Sequence, residues 1–318
     1  MSRNDFRRRQ AQRQRRKLVR HLPIILALFL AFSALAAGVF ALTRFVLNRQ
    51  PISSASASSS TAKTTSEDPA QPISSPASGT LAQAAYIAAG YDYDRAIALI
   101  KEDSSLAEDP AALEAITSYE EAKASLLPAD VQNVPHVFFH SLIMDTAKAF
   151  DGDSRTPGYN SVMTTKDEFL KMLDAFYEDG YVLVRIRDIA SETTDENGNT
   201  VFSWGEILLP EGKKPLVMSQ DDVCYYPYME KDGFARRIVI GEDGKPTAEM
   251  VMEDGSISTG PYDLIPILED FIEEHPDFSY KGARAIIAFT GYEGILGYRT
   301  AASYSDSPNY EQDREQAA

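Results

Sequence analysis

Between Leu22 and Thr43 the chain carries no charged residue for 22 positions, and Leu22, Ile24, Ile25, Leu26, Leu28, Phe29, Leu30, Leu35, Val39, Phe40 and Leu42 make the run apolar. A helix rises 1.5 Å per residue, so such a run is about 33 Å long and crosses a hydrocarbon core of about 30 Å. Nine Lys or Arg residues precede it, among them Arg7, Arg8, Arg9, Arg13, Arg15, Arg16, Lys17 and Arg20, whereas only Arg44 and Arg49 follow closely. The positive-inside rule then predicts a single-pass anchor in the cell membrane, with the N-terminus cytoplasmic and the body extracytoplasmic. A cleavable secretory signal ending at the small residues Ala34, Ala36 and Ala37 is the alternative, and it exports the body equally.

Charge separates the same two regions. Residues 1–50 hold 11 basic residues against one acidic, while the other 268 hold 20 basic against 46 acidic. An acidic body repels phosphate backbones, which excludes nucleic acid as its partner. The arginine run beside the span reads as a topology determinant touching anionic lipid. Cys224 is alone, so packing, with or without a metal, rather than an internal disulfide must stabilise the body.

Five segments follow: a basic tail over 1–21, the transmembrane helix over 22–43, a Ser/Ala/Pro-rich linker over 44–80, a helical hairpin spacer over 81–127 and an α/β domain over 128–318. The linker holds almost no large apolar residue that could offset the entropy of ordering. In the spacer, Leu81, Ala84, Ala85, Ile87, Ala88, Ala96, Ile97, Leu99, Ile100, Leu113 and Ile116 recur at helical spacing, and Asp109-Pro110 is a cap and first-turn pair. Two or three helices are predicted, docked on the main domain or holding a partner.

After Pro128, short β-branched and aromatic runs alternate with helices. Strands are predicted over His136–Leu142, Tyr181–Ile186, Pro215–Ser219 and Ala283–Phe289, and helices over 164–178 and 262–274. A hairpin joins 236–240 to 248–252 through Glu242-Asp243-Gly244-Lys245. Such alternation predicts parallel strands. Asp221 and Asp222 follow the third strand at its carboxyl end, where α/β folds gather reactive side chains. Adjacent carboxylates repel each other, so one is protonated or a cation resolves the conflict.

The run from Leu209 through Pro215-Leu216-Val217-Met218-Ser219-Gln220-Asp221-Asp222, with Val137-Phe138-Phe139-His140-Ser141-Leu142 and the Gly180-Tyr181 block before it, resembles the NodB-type polysaccharide deacetylases, carbohydrate esterase family 4, over about residues 134–300. The resemblance implies a distorted (β/α) barrel, incomplete in this chain, and a hydrolase that removes acetyl groups from peptidoglycan or an exopolysaccharide. By it, Asp221 is the catalytic base and Asp222 a ligand of a divalent metal, zinc by preference. Ser219-Gln220 stands where the family has Thr-Phe, and Val223 where it has Gly, so a turn of another shape is expected there.

The family's His-x-x-x-His pair has no counterpart after Phe289. His136 and His140 lie four apart, which on a strand separates them by about 13 Å, too far for one ion. His140 is expected to line the cleft, together with Tyr225, Tyr226 and Tyr292, which either stack on sugars or pack. The segment from Tyr310 to Ala318 starts like a helix and reads as interrupted, so the missing portion is expected to carry the histidines and the chain as given to be inactive. A glycan-binding or scaffolding protein with a degenerate deacetylase fold is the alternative. No Gly-x-Ser-x-Gly elbow, phosphate loop or dinucleotide fingerprint is present.

Overall fold

The computed structural model describes residues 79–318. The predicted membrane span lies outside the described residues, among which no helix is long and apolar enough to cross a membrane.

Three helices come first: α1 (Thr80–Ala89), α2 (Tyr93–Glu102) and α3 (Pro110–Ala124). The Asp109 carboxylate accepts from the amides of Ala111 and Ala112 at 2.8 and 3.2 Å, so the sequence-level cap forms as read. Small residues such as Ala84, Ala88, Ala96 and Ala112 let the helices approach closely around Ile87 and Ile100. The unit is docked on the body through Gly90-Tyr91. The Lys281 amide donates to the Gly90 carbonyl at 2.7 Å, and the Tyr91 hydroxyl donates to the Asp277 carbonyl at 2.9 Å.

The body runs through β1 (Leu127–Pro128), β2 (His136–Phe139), α4 (Thr146–Ala149), α5 (Thr156–Val162), α6 (Lys166–Glu178), β3 (Tyr181–Leu183), α7 (Ile186–Ile189), β4 (Ala190–Thr194), β5 (Thr200–Trp204), β6 (Leu208–Leu209) and β7 (Lys214–Gln220). It continues with β8 (Arg237–Ile240), β9 (Pro246–Val251), β10 (Ile257–Gly260), α8 (Leu264–Glu274), β11 (Ile286–Ile287) and α9 (Tyr310–Ala317). The fold is mixed α/β with several separate sheets, and among the described residues no closed barrel forms.

The buried strand β7 is the organising element, and its three partners all run parallel to it. The Val217 amide donates to Pro135 on the β2 side, whereas Leu216 and Gln220 accept from Val184 and Ala288 on the other. Thus β2 takes one edge, and β3 and β11 share the opposite edge end to end. One face packs on α6 and α8: Phe139, Leu216 and Met218 meet Phe169, Leu173, Leu268 and Phe271. Each side chain of this size contributes about 1.5–3 kcal/mol when fully buried. The lower half of the other face is covered where Val182, Val184 and Val217 meet Tyr91, Ile207 and Tyr280. Its upper half is open, with Phe138 61% and Ile286 37% exposed. Parallel sheets are ordinarily covered on both faces, so this half-open face sets apart the strand ends where the aspartates sit.

Helix α6 begins with a capping box. The Thr165 hydroxyl accepts from the Glu168 amide at 3.2 Å, and Glu168 Oε2 accepts from the Thr165 amide at 2.9 Å. These hydrogen bonds hold the Glu168 carboxyl below its usual range. A depressed carboxyl stabilises the fold above its unfolded pKa and loses that contribution as pH falls through its folded value. Thr165→Ala should therefore cost about 1 kcal/mol at neutral pH in chemical denaturation, with the difference shrinking below about pH 4. A gap that is constant across this range would contradict the reciprocal pair.

Several boundaries differ from the sequence reading. The strand expected over Tyr181–Ile186 stops at Leu183, because the Arg185 amide donates to Asp188 Oδ2 at 2.8 Å and starts α7. The strand expected over Ala283–Phe289 pairs only at Ile286 and Ile287. Before it, the Ala283 amide is bonded to Tyr280 and the Ala283 carbonyl to the Ser279 hydroxyl, which hold the chain in a turn. The hairpin around Gly244 forms as β8 and β9, and β10 adds a third strand.

Candidate functional site

Successive side chains on a strand point to opposite faces, so Val217, Ser219 and Asp221 share one face of β7, and His136, Phe138 and His140 extend the same face on β2. Asp221 still belongs to the ladder, since its amide donates to Phe139 at 2.7 Å. Its Oδ1 accepts from the Ser219 hydroxyl at 3.2 Å, and that hydroxyl lies 2.9 Å from His136 Nε2. A hydrogen-bonded line thus runs from His136 through Ser219 to Asp221 and fixes one carboxylate oxygen.

At Asp222 the chain reverses with φ 55°, a left-handed conformation that Asp tolerates better than branched residues. The expected change of turn shape is resolved here: the positive φ falls on Asp222, leaving Val223 free to be fully buried against Tyr225, Ala235 and Ile238. Asp222 keeps half of its side chain accessible, and its Oδ2 lies 4.0 Å from His140 Nδ1. His140 is therefore a neighbour of the Asp221–Asp222 pair. His136 does not join them as a ligand, because its ring is engaged with Ser219. His275 is packed between Tyr177 and Phe271, with ring centroids at 4.4 and 4.7 Å.

An aromatic wall stands beside the pair. Tyr226 stacks on Tyr228 at 5.6 Å and meets the ring of Tyr292 at 6.1 Å, and Tyr292 is 68% exposed. Arg155 lies over the Tyr228 ring at 5.3 Å. The Cys224 thiol, fully buried, donates to the Tyr292 carbonyl at 2.8 Å. Burial first, and then a hydrogen bond to Cys224, push the Tyr226 hydroxyl up to about 12.

Tyr225, expected in the cleft with these rings, is instead only 2% exposed, and its hydroxyl donates to Asp263. A positive φ of 52° turns its side chain inward beneath the site. Asp263 itself was missed by the sequence reading, which placed it at the start of a helix without a role. It is fully buried, and its carboxylate also accepts from the Leu142 amide at 2.8 Å and from Gln220 Nε2 at 2.7 Å. Burial pushes this carboxyl up even against those donors.

No protein-family model, curated protein or solved structure matches the chain.

Among the described residues, no group of three or more His, Cys, Asp and Glu side chains is arranged to hold a metal ion. Asp222 and His140 present two donors 4.0 Å apart, wider than the roughly 3–3.4 Å that two bonds of about 2 Å subtend at a tetrahedral ion. Among the described residues the donor set is therefore incomplete, with Asp222 and His140 as two of the ligands an ion there would need.

Proposed function

We propose that this chain belongs to a membrane-anchored, extracytoplasmic hydrolase that removes acetyl groups from cell-wall or extracellular glycans. The observation that carries this reading is the convergence of Asp221, Asp222 and His140 at the carboxyl end of the central parallel strand. With Oδ1 of Asp221 engaged by Ser219, the second oxygen is the one available to accept the proton of an attacking water. Asp222 and His140 would supply two ligands of a divalent cation, preferably zinc, which when bound polarises the acetyl carbonyl. Tyr226, Tyr228 and Tyr292 offer ring faces to a sugar. The placement outside the membrane rests on the apolar run over 22–43 and its basic flank. A (β/α) barrel is part of the same proposal, supported by the parallel partners on both edges of β7.

The incomplete donor set favours a second reading, a glycan-binding protein without catalysis. One assay, made on the whole protein to which this chain belongs, separates the two: acetate release from N-acetylated peptidoglycan and chitooligosaccharides, with chelator and with added zinc. Release that chelator stops and zinc restores is the expected result. Glycan binding with no acetate under any metal would overturn the hydrolase and leave the binder.

A further inference from the structure

Two separate loops carry the candidate site. His140 follows β2 and leads into Ser141-Leu142, whereas Asp221 and Asp222 follow β7 and lead into Val223-Cys224-Tyr225. Beyond the Phe139–Asp221 ladder bond, something must fix one loop against the other. The second loop holds two left-handed residues, Asp222 and Tyr225, within four positions, a conformation of higher energy that persists only where neighbours enforce it.

Asp263 reaches both loops. Its Oδ1 takes the Leu142 amide, two residues after His140. Its Oδ2 takes Gln220 Nε2, immediately before Asp221, and the Tyr225 hydroxyl, three residues after Asp222. Asp263 stands directly before α8, where the helix's free amides favour a negative charge. Losing hydrogen bonds to this buried carboxyl leaves buried donors unsatisfied, which is costly.

We propose that Asp263 is the positioning residue of the site: one buried carboxylate that clamps the His140 loop to the Asp221–Asp222 loop and sets their separation. It touches no substrate and acts through Gln220, Tyr225 and Leu142. What the clamped residues do rests on the hydrolase reading, whereas the clamp does not.

The two are separated by pairing amide hydrogen exchange with zinc titration on the whole protein. Asp263→Asn retains the shape but places a donor against donors. Tyr225→Phe removes one leg and leaves the ring packed. Glu269→Gln serves as a control on the same helix, since Glu269 pairs with Arg284 at 2.5 Å away from the site. We expect Asp263→Asn to speed exchange about tenfold or more at both 140–142 and 221–225, Tyr225→Phe to do so mainly at 221–225, and Glu269→Gln at neither. Where the unsubstituted protein binds zinc, Asp263→Asn should weaken it about tenfold or more while Glu269→Gln leaves it unchanged. Unchanged exchange in both loops, or loosening equal to that spread over the whole domain, would overturn the clamp. Absence of zinc binding by the unsubstituted protein counts against the hydrolase alone, because the exchange result still decides the clamp. Should Asp263→Asn fail to fold, Tyr225→Phe decides it: faster exchange at 221–225 supports the clamp, and unchanged exchange there refutes it.

Discussion

In the whole protein to which this chain belongs, replacing Asp222 with Asn should lower zinc-dependent acetate release by on the order of 10³-fold, equivalent to about 4 kcal/mol of barrier, with little change in thermal midpoint. Asn is the informative substitution because it tolerates the left-handed backbone that Asp222 adopts at φ 55°. Ala at the same position adds a conformational penalty of about 1–2 kcal/mol that would mix stability into the activity measurement. The carboxylate is half exposed and lies 4.0 Å from His140 Nδ1, so neutralising it removes little packing. Asp221→Asn should also lose activity, by about 10²- to 10⁴-fold, as the loss of a general base predicts. Acetate release that survives Asp222→Asn at its original rate would remove this residue from the chemistry.

Gly294→Ala should be strongly destabilising, costing about 3 kcal/mol or more in chemical denaturation. At φ 147° this position lies where L side chains are rarely found, and a Cβ would overlap the Tyr298 carbonyl oxygen. Backbone oxygen cannot swing aside as a side chain does. The loop it shapes carries Tyr292 and returns at Leu296, whose amide donates to Val223 at 3.0 Å, so the aromatic wall should loosen as well. Gly244→Ala is the contrast: φ is 79° but no atom lies within 4 Å of a Cβ, so only the backbone penalty of about 1 kcal/mol is expected. Equal losses at the two positions would mean that the close approach at Gly294 contributes nothing.

Features set by local chemistry were legible in the sequence. Asp109-Pro110 caps a helix because the Asp109 side chain reaches the amides two and three residues on. Glu242-Asp243-Gly244 makes a hairpin turn because Gly244 accepts positive φ. The Asp pair was placed correctly at a strand end, since the run Pro215–Ser219 is bounded by turn residues and β7 forms there. What escaped depends on which residue of a turn takes the left-handed conformation. With positive φ at Tyr225, a tyrosine that hydropathy leaves equally at home in core or cleft is sent inward. Its partner Asp263 lies 38 residues away, and nothing in a helix-initiating aspartate announces that it will be buried. The hairpin β4–β5 was missed although Asn197-Gly198 is a strong turn signal. Its strands are short and exposed, so they lack the apolar alternation by which the other strands were found.

Anomalous diffraction at the zinc edge from zinc-soaked crystals tests the assignment of the site most directly. A peak within about 2.2 Å of an Asp222 carboxylate oxygen, with His140 Nδ1 drawn towards it, is the expected outcome. Zinc bound only elsewhere, with Asp222 and His140 free of it under saturating metal, would contradict the site.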